Sequence, residues 1–289
     1  MYKGIILAGG NGTRLYPLSK VVSKQLLNVY DKPLIYYPLS TLMLAGIRDI
    51  LIITNPGQID QFKDLLGDGS QWGISISYQI QESPNGLPEA FILAQDFIGD
   101  DNVCLVLGDN VLYGNDLDKI LKKAQRGSGA TVLSYPVKDP QRYGVVEYDQ
   151  DENVIGFEEK PEFPKSNRAL IGVYFCDNKC VQFSKELKPS HRGELEIIDL
   201  FNKYLERGEL KVKELTRAMT WIDAGTFDSL LLASNFIATV EKIQSYKISC
   251  PEEVAYKNKW INGKQLLKLS DEQDKSGYGD YLKSIIEDY

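Results

Sequence analysis

Five short apolar runs, at residues 3–8, 49–54, 74–80, 103–107 and 130–136, most constrain how this chain can fold. The stretches between them carry helical spacing and begin at Pro33 or just after, near Gln58, at Pro88 and at Asp116. Strands that alternate with helices in this way build parallel βαβ units. The run Val103-Cys-Leu-Val-Leu107 contains no polar residue, so the sheet it joins must be covered on both faces. In such a sheet ligands bind beyond the carboxyl ends of the strands.

From about residue 139 to 176 the pattern changes to strands joined by turns. Gly144–Tyr148 and Val154–Glu158 flank the turn Asp149-Gln-Asp-Glu-Asn153, and a further strand covers 169–176. A helix at 194–207 repeats Leu195, Ile198, Phe201 and Leu205 on one face and stops at Gly208. A strand at 210–215, the segment Met219-Thr-Trp-Ile-Asp-Ala-Gly225 and a long helix from Ser229 to Ile243 follow, with helical segments at 252–261 and 278–286 beyond. The expected fold class is α/β: a Rossmann-like, mostly parallel sheet with helices on both faces, a hairpin-rich insertion and a C-terminal helical appendage. The expected boundaries are a domain at 1–245, with halves 1–136 and 137–245, and an appendage at 246–289.

Charge and composition exclude several classes of function. The net charge of −7 and pI near 5.0 argue against a nucleic-acid groove, so any phosphate site must be a local positive patch. No apolar run approaches the roughly 20 residues of a membrane helix, and no signal-peptide pattern opens the chain; the expected location is the cytoplasm, away from membranes. Cys104 belongs to the core, and Cys176 and Cys180 lack a second Cys/His pair to complete a metal site. The single histidine, His191, lies in a polar loop. Chemistry driven by Lys, Arg, Asp and a metal is therefore favoured over an imidazole base.

The first strand opens into Gly9, Gly10 and Gly12, followed by Thr13 and Arg14 and, one loop later, Lys24. Glycine-rich backbone exposes N–H groups in a concave nest suited to phosphate oxygens, and the two cations add charge. A Rossmann fingerprint needs a small residue where Leu15 stands, although Asp31 lies at a tolerable distance for a ribose carboxylate; a Walker A loop needs Gly-Lys-Ser/Thr, which is absent. Two cations aimed at one phosphate chain suit phosphoryl or nucleotidyl transfer. Asp109, at the end of 103–107, and Asp223 are hard oxygen donors for Mg²⁺, which takes one or two carboxylates plus substrate phosphate oxygens. The runs Arg142-Tyr-Gly144 and Glu158-Glu-Lys-Pro161 could hold a sugar and its phosphate. In Gln81-Glu-Ser-Pro-Asn-Gly-Leu87, Gln81 offers a donor and an acceptor that match a pyrimidine edge.

Taken together, Gly4-Ile-Ile-Leu-Ala-Gly-Gly-Asn-Gly-Thr-Arg-Leu15, Ser23-Lys-Gln-Leu-Leu27, Leu107-Gly-Asp-Asn110, Arg142-Tyr-Gly-Val-Val-Glu147, Glu158-Glu-Lys-Pro161, Arg192-Gly-Glu-Leu-Glu196 and Cys250-Pro-Glu-Glu253 resemble the sugar-1-phosphate nucleotidyltransferases nearly end to end. The run 23–46 and the Cys-Pro-Glu-Glu segment are most similar to the thymidylyl branch. The resemblance implies a nucleotide-binding half at 1–136, a sugar-phosphate-binding half at 137–245, and the reaction of dTTP with glucose 1-phosphate to give dTDP-glucose and pyrophosphate. It implies that Gly9, Gly10, Gly12, Thr13 and Arg14 hold the nucleotide phosphates, with Lys24 on the α-phosphate and Arg14 and Lys24 as the catalytic charges. By the same resemblance Gln81 and Gly86 bind the base, Leu7 and Leu87 pack near it, and Asp109 and Asp223 ligate Mg²⁺. Tyr143, Gly144, Glu159, Gly172 and Trp221 are expected on the glucose, and Lys160 and Arg192 on its phosphate. A homotetramer is implied, with a second nucleotide site for the inhibitor dTDP-rhamnose at Tyr37, Leu44, Gly114, Cys250, Glu253 and Lys257. Ala224 and Asn28 depart from the Thr and Pro usual in this branch without removing a ligand. Two alternatives stay open: a UTP- or CTP-dependent enzyme on the same sugar phosphate, and a catalytically silent nucleotide-sugar sensor on the same fold.

Overall fold

The computed structural model describes residues 1–10, 12–273 and 275–287; Asn11 of the glycine loop, Asp274 in the C-terminal segment and the last two residues lie outside that description. The first half runs β1 (Tyr2–Ala8), a short hairpin β2 (Asn28–Val29) and β3 (Lys32–Pro33), α1 (Tyr36–Leu44), β4 (Asp49–Thr54), α2 (Ile59–Leu66), β5 (Ser75–Ile80), α3 (Glu89–Leu93), α4 (Gln95–Ile98) and β6 (Asn102–Leu107). Then come β7 (Asn110–Gly114), α5 (Leu117–Ala124), β8 (Ala130–Pro136), β9 (Gly144–Tyr148), β10 (Val154–Glu159), β11 (Arg168–Cys176) and α6 (Lys179–Lys185). The chain closes with α7 (Ile197–Glu206), β12 (Leu210–Glu214), β13 (Met219–Asp223), α8 (Phe227–Gln244), α9 (Pro251–Lys257), α10 (Gly263–Asp271) and α11 (Gly277–Glu287).

The five apolar runs all become strands of one nine-stranded sheet. Its order is β10-β9-β11-β6-β1-β4-β5, with β8 and β12 branching from β11. From β6 through β1 and β4 to β5 every pair is parallel; β11 then runs antiparallel to β6, β8 and β9. Successive residues of a strand point to opposite faces, and β1 shows it: Ile6 and Ala8 join the core under α1, α2 and α5, while Ile5 and Leu7 join the core under α3, α6 and α7. All four cysteines are free and buried.

Three local expectations are corrected. Pro33 sits in the β2–β3 hairpin rather than at a helix start, and α1 begins only at Tyr36, after Ile35 has given its N–H to Gln25 O at 2.8 Å. The helix expected from 194 begins at Ile197, because Leu195 is held extended in a bridge to Gly86 and Glu196 is extended too, at φ −91° and ψ 134°. The segment expected as one helix over 252–261 stops at Lys257, and α10 follows as a separate helix with an Asn262–Gln265 capping box. Neither α6 nor the β7–β13 ribbon was expected. That ribbon is antiparallel, separate from the main sheet, and pairs Asp223 with Asn110.

The C-terminal helices are tied to the first half by polar contacts inside the packing. Trp72 Nε1 donates to Glu252 at 3.1 Å, and the Tyr278 hydroxyl donates to the same carboxylate at 2.8 Å. Lys32, almost wholly buried, pairs with Asp31 at 2.6 Å and Glu241 at 3.2 Å, and Lys247 bridges both carboxylates from the other side.

Candidate active site

The carboxyl ends of β1, β5 and β6 open onto two adjoining cavities that share Leu87, Leu107 and Asp109. The smaller, about 210 Å³, is lined by Leu7, Gly9, Gly10, Lys24, Gln81 and Gly86 among others. The larger, about 560 Å³, is lined by Arg14, Tyr143, Gly144, Glu159, Lys160, Gly172, Arg192, Trp221 and Asp223. Gly12 and Thr13 line neither; they form the turn that swings Arg14 round, with Gly12 in the left-handed region at φ 58° and Ser19 Oγ donating to its carbonyl at 2.6 Å.

The glycine loop is held from β4's end. Asn55 Oδ1 accepts from Gly10 N, and Asn55 Nδ2 donates to Gly10 O, both at 2.9 Å. Lys24 rides on a short 3-10 turn, Lys24–Leu26, and its Nζ donates to Asp109 Oδ2 at 2.5 Å. Arg14 lies against Gly225, where a Cβ would come within 2.9 Å of Arg14 Nη2 and 3.0 Å of Asp223 Oδ1. A glycine there leaves both the guanidinium and the carboxylate room against the backbone.

Asp109 and Asp223 reach the cleft from different parts of the fold. Asp109 follows β6, as expected; Asp223 ends β13 in the separate ribbon, and Ala224 N donates to Asp109 O at 2.9 Å. Burial alone would raise the pKa of Asp109, but Lys24 outweighs it and holds the group below its ordinary value. Asp223 is pushed up to about 6, first by burial and then by the charge of Asp109, against the pull of Lys24, Arg14 and Arg142. Two oxygen-donor carboxylates in one cleft form a donor set that suits a hard divalent cation. Among the described residues no third acidic, His or Cys ligand joins them.

Asn110, next to Asp109, is a hub that sequence reasoning passed over. Its side-chain oxygen accepts from Trp221 Nε1 at 2.5 Å and from Gly172 N at 3.1 Å, while its Nδ2 donates to Asp109 Oδ1 at 3.0 Å. One amide thus connects a candidate metal ligand to two groups expected on the sugar. The edge of Trp221 also meets the ring of Tyr143, centroids 5.1 Å apart.

At the far end Arg192 is gripped by Glu196, Nε to Oε1 at 3.1 Å and Nη2 to Oε2 at 2.6 Å, and also reaches Glu159 at 3.3 Å. Lys160 pairs with the same Glu159 oxygen at 3.0 Å. Burial would raise Glu196, but hydrogen bonds from Arg192 and Ser190 bring it below the usual carboxylate range. His191 is exposed in the adjoining loop. Gly86 joins the two halves of the cleft: it bridges to Leu195 at φ +112°, and a Cβ would stand 2.1 Å from Leu195 O. Asn55, Gly225 and Glu196 were missed as well; Gly225 and Glu196 stand inside conspicuous motifs, whereas nothing in the sequence marks Asn55.

A third cavity of about 440 Å³ lies at the far end of β7, by Leu112, Tyr113 and Gly114. Leu44, Gly114, Cys250, Glu253 and Lys257 line it, as grouped from the sequence. Tyr37 does not reach it. That ring is fully buried, and its hydroxyl donates to Val29 O at 2.9 Å to close the β2–β3 hairpin.

A Rossmann-like sheet with cations and carboxylates at its strand ends suits transfer between phosphorylated substrates, and residues 3–240 match the model of the nucleotidyl transferase family. The chain belongs to that family and is a nucleotidyltransferase. It is 56% identical to the glucose-1-phosphate thymidylyltransferase of Neisseria meningitidis serogroup A, covering 98% of this chain and 99% of that protein. It is 50% identical to the enzyme of the same name from Mycobacterium tuberculosis, covering 99% of both. A Bacillus anthracis protein assigned as a glucose-1-phosphate thymidylyltransferase superposes with a TM-score of 0.75 at 42% identity, over 82% of this chain and 95% of that one. A UDP-glucose pyrophosphorylase in complex with UDP-glucose superposes with a TM-score of 0.73 at 25% identity, over 84% of this chain and all of that one.

Proposed function

We propose that the chain is a glucose-1-phosphate thymidylyltransferase, converting dTTP and α-D-glucose 1-phosphate to dTDP-glucose and pyrophosphate as the entry to dTDP-L-rhamnose synthesis. The observation that carries this reading is the distribution of charge over the two adjoining cavities: Lys24 in the smaller, Asp109 shared by both, and Arg14, Asp223, Lys160 and Arg192 in the larger. Two anionic substrates can lie end to end there, each facing its own cations.

The residues proposed for dTTP are Leu7, Gly9, Gly10, Gly12, Thr13, Gln81, Gly86 and Leu87, with Arg14 and Lys24. Those proposed for glucose 1-phosphate are Tyr143, Gly144, Glu159, Lys160, Gly172, Arg192 and Trp221. This division supports a nucleotide half over 1–136 and a sugar-phosphate half over 137–245, with 246–289 as a helical appendage. Asp109 and Asp223 fit Mg²⁺, which when bound offsets charge on the phosphate oxygens. Lys160 and Arg192 orient the sugar phosphate so that one of its oxygens attacks the α-phosphorus in line. The bond from that phosphorus to the bridging oxygen breaks, and pyrophosphate leaves with the electron pair. Arg14 and Lys24 stabilise the charge that grows on the leaving group and the α-phosphoryl oxygens. Both reacting groups are already ionised, so no general base is required, in keeping with a lone exposed histidine.

Some use of UTP is expected, and the likeness to a UDP-glucose pyrophosphorylase favours it. Thymine and uracil differ by one methyl, worth about 1–3 kcal/mol in a pocket. Pyrophosphate release with glucose 1-phosphate and dTTP, UTP or CTP tests the assignment; no release with either dTTP or UTP overturns it.

The 440 Å³ cavity is proposed as the site where dTDP-rhamnose inhibits. Inhibition that stayed strictly competitive with dTTP and survived Leu44→Trp would contradict that placement. The exposed apolar side chains Leu231, Leu232 and Ile243 of α8 support a homotetramer, to be checked by light scattering. Among the described residues no helix is long and apolar enough to cross a membrane; a cytoplasmic location is part of the proposal.

A further inference from the structure

The carboxylate of Glu89 has no role in the site as described, yet it fixes the residue proposed to read the base. Gln81 is buried, its backbone N–H held by Thr54 O at 2.8 Å. Its side-chain Nε2 donates to Glu89 Oε2 at 2.6 Å, and Asn85 Nδ2 donates to the other oxygen, Glu89 Oε1, at 2.7 Å. An ionised carboxylate only accepts, so the Gln81 NH₂ must be the end that faces Glu89. The amide oxygen is thereby turned the other way, to where a Cβ on Gly9 would stand 3.0 Å from it, along the wall of the smaller cavity.

We infer that Glu89 is a specificity-positioning residue, locking the Gln81 amide so that it accepts from an imide N–H and rejects a base lacking one. This rests on the proposed placement of the base beside Gln81. Thymine and uracil present N3–H as a donor with a carbonyl beside it. The locked amide matches both, since Oε1 accepts from N3–H while the second hydrogen on Nε2 serves the carbonyl. Cytosine presents an acceptor at N3 and a donor at N4. To match it the amide must flip, which brings its oxygen against the Glu89 carboxylate, acceptor to acceptor. Selection between pyrimidines is then set by a residue that touches no nucleotide.

The test measures kcat/KM for dTTP, UTP and CTP, each with glucose 1-phosphate, on the full chain and on Glu89→Gln and Glu89→Ala. Glu89→Gln keeps the size of the side chain but can donate or accept, so it permits both orientations of Gln81. The dTTP-to-CTP ratio is expected to fall at least about tenfold in both variants, by loss on dTTP and gain on CTP, as for exchange of one hydrogen bond. The dTTP-to-UTP ratio is expected to hold within about twofold, because those bases share the edge that Gln81 reads. For a variant too slow to turn over, the same ratios are read from dissociation constants by calorimetry. An unchanged dTTP-to-CTP ratio in both variants overturns the inference while leaving the enzyme's assignment standing. A shift of the dTTP-to-UTP ratio as large as that for CTP overturns it too, since it reports a general loosening. A wild-type chain that uses neither dTTP nor UTP refutes the assignment itself and the inference with it.

Discussion

Replacing Asn110 by Ala tests the geometry of the cleft at its most connected point. The side chain is buried, with 3% of the residue exposed, and serves three partners at once. Truncation leaves the indole N–H of Trp221 and the backbone N–H of Gly172 without their protein acceptor at the wall of the larger cavity. Each orphaned buried donor costs about 1–3 kcal/mol, so the expected loss of stability is about 2–6 kcal/mol. That is a large part of the roughly 5–15 kcal/mol that folded domains possess. Asn110→Asp separates the contributions. It keeps an acceptor for both donors but turns the group bonded to Asp109 Oδ1 at 3.0 Å into a second carboxylate oxygen. Urea unfolding at neutral pH reads the stability of both variants, and initial rates read their function. Asn110→Ala is expected to raise KM for glucose 1-phosphate more than KM for dTTP, because Trp221 and Gly172 line only the larger cavity. An unfolding free energy for Asn110→Ala within about 0.5 kcal/mol of wild type, the range of an inert surface change, would refute the reasoning.

Lys24→Met should fold yet lose more than about a hundredfold in kcat, as removal of a key charge stabiliser does; near-normal turnover would sink the catalytic role given to that ammonium. Gly225→Ala places a methyl 2.9 Å from Arg14 Nη2 and should cost on the order of tenfold to a hundredfold in kcat/KM for dTTP by displacing the guanidinium. Unaltered kinetics there would mean that Arg14 does not act from this position. The Asp31–Lys32–Glu241–Lys247 cluster predicts acid sensitivity. Burial opposes ionisation of Asp31, but Lys32 and Lys247 prevail and hold its pKa below 3.8. A depressed carboxylate contributes stability that is complete above its unfolded pKa and is lost as pH falls through the folded one. Stability should therefore drop below about pH 4, less steeply in Asp31→Asn, and equal slopes in urea titrations of the two proteins would exclude the cluster as a cause.

Much of this was legible in the sequence because it is local. The apolar runs at 3–8, 49–54 and 103–107 state a doubly covered parallel sheet, and Asp109 follows the last of them at the strand end where ligands bind. The six residues from Gly9 to Arg14 mark a candidate phosphate loop. The β7–β13 ribbon was not legible, since two five-residue strands more than a hundred positions apart carry no shared periodicity. It is the ribbon that delivers Asp223 to Asp109, and Asn110 to Trp221.

The chain by itself determined which chemical groups are present and which elements carry them: cations after β1, a carboxylate after β6, an amide after β5. Only the tertiary structure decided how each group is held and what charge it bears. Lys24 meets Asp109 across 85 positions, Asn110 meets Trp221 across 111, and Glu89 turns the Gln81 amide by a contact between a strand end and a helix start. Hydrogen bonds and charge interactions depend on distance in space, whereas periodicity and turn chemistry report only neighbours along the chain. The identity of the site was therefore readable in one dimension, and its selectivity only in three.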